Sequence, residues 1–96
     1  MRAYVIVEIS IHDHTLYEEY KELTPASIAE YGGKFIVRGG KTISLESGWH
    51  PERIVVAEFP SLERAQEWWH SEDYEKAKKI RQASAYTKMI IVEGVE

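Results

Sequence analysis

Arg38, Arg53 and Glu58 are the residues of this chain whose types and surroundings best suit chemistry. Arg38 follows Phe35-Ile36-Val37 and precedes Gly39-Gly40; Arg53 opens the run Ile54-Val55-Val56-Ala57; Glu58 leads into Phe59-Pro60-Ser61. A charge beside a strand that buries one face is costly unless it is paired or in use. The three charges therefore mark either a structural ion-pair network or a ligand pocket. An arginine can grip a carboxylate or enolate through two parallel hydrogen bonds. A carboxylate beside it can serve as a general base or as the other half of an ion pair. By strand alternation Arg38 shares a face with Ile36, and Glu58 shares one with Ile54 and Val56. Both are expected to project beyond the same face of a sheet.

Other candidates carry competing structural readings. Gly39-Gly40-Lys41-Thr42 resembles the end of a phosphate loop, but Phe35 stands where the leading glycine is needed and no helix pattern follows. A bulge that re-aims Arg38 is the better account, or a close approach by a ligand or another backbone. Among His12, His14, His50 and His70, no His-Glu-x-x-His spacing occurs and His12-x-His14 lacks a visible third ligand. No metal site is expected. His50 follows Trp49 in the loop before Arg53, where it can act as an acid or base near neutral pH. Trp68 and Trp69 are adjacent on a helix pattern and point about 100° apart, so only one faces the core squarely. Ser61 and Ser71 read as helix caps, not nucleophiles, because no Gly-x-Ser-x-Gly elbow is present.

Composition bounds these possibilities. Ninety-six residues, 44% of them hydrophobic, suffice for one small domain over the whole of residues 1–96. Sixteen acidic against 12 basic residues give a net charge of −4, with no basic patch, so nucleic acid is not an expected partner. The chain has no cysteine, which excludes disulfides and thiolate catalysis. The first apolar run ends by Glu8, too short for a signal peptide, and none reaches the length of a membrane span. The chain reads as cytoplasmic.

The elements that must position the candidates follow from periodicity. Residues 3–10 alternate as a strand, with Ala3, Val5, Val7 and Ile9 on one face. Asp13 caps a helix whose buried stripe is Leu16, Tyr20 and Leu23, with a kink or restart at Thr24-Pro25 and a stop at Gly32-Gly33. Residues 34–38 form a second strand, interrupted by the glycines and resumed over residues 42–45. Residues 53–59 form a third. A helix capped by Ser61 follows, with a second cap at Ser71 and a stripe of Tyr74, Ala77 and Ile80, and residues 86–93 form the last strand. The order β-α-β-β-α-β predicts an α+β fold: a four-stranded antiparallel sheet with its helices on one face. The other face, carrying Ile6, Ile36, Ile54 and Val56, then needs a cover, which a second copy supplies.

The run Tyr31-Gly32-Gly33-Lys34-Phe35-Ile36-Val37-Arg38-Gly39-Gly40 resembles the small bacterial proteins of domain-of-unknown-function family 1330. Trp49, Arg53, Glu58-Phe59-Pro60-Ser61, Trp69-x-Ser71-x-x-Tyr74 and Arg81 carry the resemblance across residues 4–93. It implies a ferredoxin-like dimeric α/β barrel. That superfamily also holds cofactor-free monooxygenases, lactone isomerases and haem-dependent enzymes, while the family has no firmly assigned reaction. His12-Asp13-His14 lies outside the shared pattern. The expected function is binding of a small anionic organic molecule by a homodimer joined through its sheet faces, without a cofactor, and with acid/base or monooxygenase-type chemistry if it is catalytic. In that reading Arg38 orients the anion, Glu58 is base or anchor and His50 a further acid or base. Arg53 and Trp49 line the entrance, and Gly39, Gly40, Trp69, Ser71 and Tyr74 are further ligand contacts. The alternative is a non-catalytic dimeric module in which Arg38, Arg53 and Glu58 are ion-pair struts.

Overall fold

The structure, a computed structural model, describes all 96 residues. β1 (Ala3–Ile11) alternates in burial as its sequence alternates in polarity: Ala3, Val5, Val7 and Ile9 are buried, and Tyr4, Ile6 and Glu8 half-buried. It lies between β3 (Arg53–Phe59) and β4 (Ala85–Glu93), and β2 (Lys34–Arg38) completes the order β2-β3-β1-β4, every pair antiparallel. Val55, Ala57 and Phe59 of β3 join the buried face of β1 in one core with Tyr17, Tyr20, Ile28, Trp68 and Tyr74 from the helices.

The helices are α1 (His14–Glu30), α2 (Leu62–His70) and α3 (Glu72–Ser84), so the order is β-α-β-β-α-α-β. The break between α2 and α3 falls at Ser71, whose Oγ donates to the Trp68 carbonyl (2.7 Å) and accepts from the Tyr74 N–H (3.2 Å). One hydroxyl thus closes one helix and caps the next. Asp13 caps α1 by accepting from the Leu16 N–H at 3.0 Å. Gly32 (φ 77°) and Gly33 end it, donating to the carbonyls of Ala29 (3.0 Å) and Ile28 (2.9 Å) in the paired bonds of a Schellman cap.

Two expectations for α1 are corrected. No kink or restart occurs at Pro25, which lies inside a continuous helix. Proline has no N–H for the Lys21 carbonyl, and Arg38 Nη2 takes that place, donating to it at 2.8 Å. The buried stripe is Tyr17, Tyr20, Thr24, Ser27 and Ile28, while Leu23 is exposed. Thr24 and Ser27 donate to carbonyls one turn back, which satisfies their hydroxyls and lets a less hydrophobic face be the buried one.

The second strand also departs from expectation. The bulge is at Ile36, between the pairs Phe35↔Ala57 and Val37↔Val56, and not at the glycines. One extra residue turns Arg38 to the opposite face, where it pairs in register with Val55. Residues 42–45 do not resume the strand; they belong to a long connection between β2 and β3. No helix of the chain is long and apolar enough to cross a membrane.

Candidate functional site

The bulge at Ile36 places Arg38 on the helix-covered side of the sheet, and Arg53 lies on that side by its pairing with Ile9. The two guanidiniums share the end of the layer beneath α1. Arg53 lies 5.7 Å from the centre of the Tyr17 ring and Arg38 4.5 Å from that of Phe35. Gly39 makes room for the first: its φ is 76°, and a Cβ there would overlap the Arg53 guanidinium. The positive φ is what favours glycine here, and a Cβ would in addition displace the tip of the Arg53 side chain.

Arg38 and Arg53 form no ion pair. The pairs in the molecule are Arg2 with Glu58, Lys21 with Glu18, Arg64 with Glu67 and Lys78 with Glu75. The Arg53 Nε is buried and has no hydrogen-bond partner. A cleft of about 290 Å³ opens beside it, walled by Tyr17, Lys21, Gly39 and His14. The two carboxylates at its rim are engaged: Glu52 accepts from the Ile11 N–H at 2.7 Å, and Glu18 pairs with Lys21 at 3.1 Å. Behind it, between Tyr20, Thr24 and Arg38, is a void of about 20 Å³, the size of a single water. Burial pushes the Tyr17 phenol above its ordinary pKa of 10.0, against the opposing pull of the Arg53 charge. Tyr17 is therefore a neutral phenol at physiological pH, able to donate.

A separate hydrogen-bonded chain lies deeper under the helices. The Tyr20 and Tyr74 hydroxyls are 2.8 Å apart, Arg81 Nε donates to Tyr74 Oη at 3.2 Å, and Arg81 Nη1 donates to Thr87 Oγ1. Burial, and then the neighbouring Tyr74, hold the Tyr20 phenol well above 10.0. Arg81 is 2% exposed and faces only neutral partners. No group of three His, Asp or Glu side chains is placed to hold a metal ion.

The structure separates the residues that the sequence reading grouped. Glu58 points to the open face, opposite Tyr4, and its carboxylate meets Arg2 at 3.0 Å; Arg38 is on the other side of the sheet. Trp49 also belongs to the open face, donating from Nε1 to Glu8 at 3.1 Å, so it does not share an entrance with Arg53. His50 is exposed beside Glu8, Ser10 and Tyr86 at that face's rim. Gly40 has open space around it. Ser71 is occupied by capping, and Tyr74 is fully buried in the inner chain. Trp68 is the core tryptophan and Trp69 the half-buried one, lying under the Lys78 ammonium at 4.0 Å. Tyr17, Tyr20 and Arg81 were not singled out as site residues. Their signal was present: Tyr17-Tyr20-Thr24 and Tyr74-Ala77-Arg81-Ser84 follow helical spacing, but a polar or charged member masks each stripe.

Solved structures share this fold at low identity. A protein of unknown function from Rhodopseudomonas palustris superposes with a TM-score of 0.81 at 18% identity, covering 99% of this chain and 83% of its own. A dimeric ferredoxin-like protein of unknown function from a Jannaschia species gives 0.77 at 12%, covering 98% and 100%. SnoaB, a cofactor-independent oxygenase from Streptomyces nogalater, gives 0.71 at 11%, covering 99% and 94%. No curated protein matches the sequence. The fold is thus ferredoxin-like, and over residues 2–95 the chain matches, and belongs to, the family described as a domain of unknown function (DUF1330).

Proposed function

We propose that the protein is a homodimer, joined through its open sheet faces, that binds a small organic anion in the cleft between α1 and the β2–β3 end of the sheet. The observation that carries the binding site is the buried Arg53 Nε without a partner, in a guanidinium that meets no carboxylate. A buried donor left unmade costs about 1–3 kcal/mol, more when charged, and an entering carboxylate or enolate would supply the missing acceptor. Arg53 is the principal anchor and the Tyr17 hydroxyl a second donor. Arg38 adds positive charge while bracing the Lys21 carbonyl by a hydrogen bond, and it is not the ion-pair strut of the alternative reading. Glu58 and His50 fall outside this cleft and take no part in it.

Two apolar residues of the open face, Ile90 (60% exposed) and Val92 (42%), support the dimer, as does the likeness to a neighbour described as dimeric. The likeness to SnoaB makes cofactor-independent oxygenation a candidate by fold analogy alone. Any such chemistry would use Tyr17 and Arg53 to stabilise an enolate or phenolate.

Benzoate is a suitable first probe because it pairs a carboxylate with a flat apolar ring. At about ten times its dissociation constant it should raise the melting temperature by roughly 5 °C or more, from mass action on a domain of this size. Arg53→Met should abolish the rise. An equal rise in Arg53→Met and the wild type would refute the assignment.

A further inference from the structure

The cleft beside Arg53 holds two opposite charges that the chain itself leaves unmatched. Arg53 meets no carboxylate, and its buried Nε has no acceptor. Glu52, the preceding residue and a wall of the same cleft, meets no cation. The two do not pair with each other. Glu52 is turned instead to the end of β1, where its Oε2 accepts from the Ile11 N–H at 2.7 Å, and its Oε1 is left without a partner. A hydrogen bond to the sheet backbone thus holds this carboxylate at the rim and keeps it from folding onto Arg53. The remaining charged walls cancel one another, because Lys21 meets Glu18 at 3.1 Å. What remains is one cation, half-buried, and one anion, exposed at the rim, around a volume of about 290 Å³.

We propose that the ligand of this cleft is a small carboxylate that also carries an ammonium group, as an amino acid does. Its carboxylate takes the donors of Arg53, and its ammonium donates to Oε1 of Glu52. A plain anion satisfies Arg53 but brings a like charge towards the Glu52 carboxylate, which opposes binding. A plain cation gains Glu52 and is repelled by Arg53. A ligand with both charges gains at each end, so the cleft selects it over either. Glu52 is exposed, so water and salt weaken its pairing, and its role is to choose between carboxylates more than to hold them.

The inference rests on the anion site proposed above, and calorimetric titration of the full chain separates the two. The probes are the meta and para isomers of (aminomethyl)benzoate, which offer the ammonium at two reaches. Each is compared with the ethylbenzoate of the same substitution, in which a methyl group replaces the ammonium. At low salt and neutral pH, at least one ammonium compound should bind about three- to fivefold more tightly than its ethyl counterpart. That preference should shrink at high salt. It should vanish in Glu52→Gln, whose amide oxygen still accepts from the Ile11 N–H, and Arg53→Met should abolish binding of every probe. If neither isomer is preferred, or the preference survives in Glu52→Gln, the doubly charged ligand is refuted, and dependence on Arg53 leaves the anion site standing. If no probe binds, or all bind undiminished to Arg53→Met, both are overturned.

Discussion

The two faces of the sheet carry nearly the same aliphatic residues and have opposite fates. On one, Val5, Val7, Ile9, Val55 and Phe59 vanish under three helices; on the other, Ile90, Val92, Ile36 and Val37 stay exposed. What separates them is where the helices return, not hydrophobicity. Their unpaired charges differ as well. The open face matches Glu58 with Arg2, while the covered face holds Arg38, Arg53 and Arg81 with no carboxylate partner. Arg81 is buried, Arg53 half-buried and Arg38 exposed at the rim; guanidiniums without counter-ions fit the proposed anion site, and the exposed aliphatic residues of the open face fit the proposed dimer.

Substitutions on the two faces should therefore differ in size and kind. The largest loss is expected for Trp68→Ala, whose ring stacks 4.0 Å from Tyr74 and whose Nε1 donates to Ser27. Urea unfolding should show a loss of about 3–5 kcal/mol. Arg81→Ala should follow at about 2–4 kcal/mol, because it opens a cavity and removes a donor to Tyr74. Arg81→Met keeps the volume and deletes a buried charge that has no counter-ion, and should cost less than about 1 kcal/mol. An equal loss in the two variants would show that the charge itself is stabilising.

Alkaline pH should act on the covered face through two buried phenols. Tyr17 and Tyr20 have folded pKa values above the ordinary 10.0. The folded state therefore holds their protons more tightly than the unfolded state does. Their contribution is fully present below about pH 10 and is lost as pH rises through the folded values. Melting temperatures taken across that range should fall less steeply in Tyr20→Phe than in the wild type. The smallest effect on the fold is expected from Ile90→Ser: under about 0.5 kcal/mol within one chain, read by urea unfolding at concentrations where chains are separate. A loss of several kcal/mol there would mean that the open face is packed within the chain.

The sequence showed the architecture more clearly than the site. Alternation in β1 and β3, the caps at Asp13, Ser61 and Ser71, and the Gly32-Gly33 stop are local signals, and each stands in the structure. The candidate site depended on one residue of register. Simple alternation put Arg38 beside Glu58, and a bulge at Ile36 moved it through the sheet, because every side chain beyond such an insertion changes face. Nothing in Phe35-Ile36-Val37 marks that insertion; it follows from the pairing of β2 with β3. The continuous helix through Pro25 was hidden for the same reason, since its freed carbonyl is satisfied by Arg38, 17 residues away. Gly39 gave a true warning of close approach, although the neighbour is the Arg53 side chain and not a ligand or another backbone.

The most direct test of the central claim is to follow the Arg53 side-chain Nε–H resonance by two-dimensional NMR at mildly acid pH, identified by its loss in Arg53→Lys, while benzoate is added. If Arg53 is the open anchor of an anion site, that resonance should shift saturably while the Nε–H of Arg64, whose Nη1 already donates to Glu67, stays in place. If Arg53 stays fixed through saturating benzoate, or moves only in step with Arg64, the cleft is not the binding site.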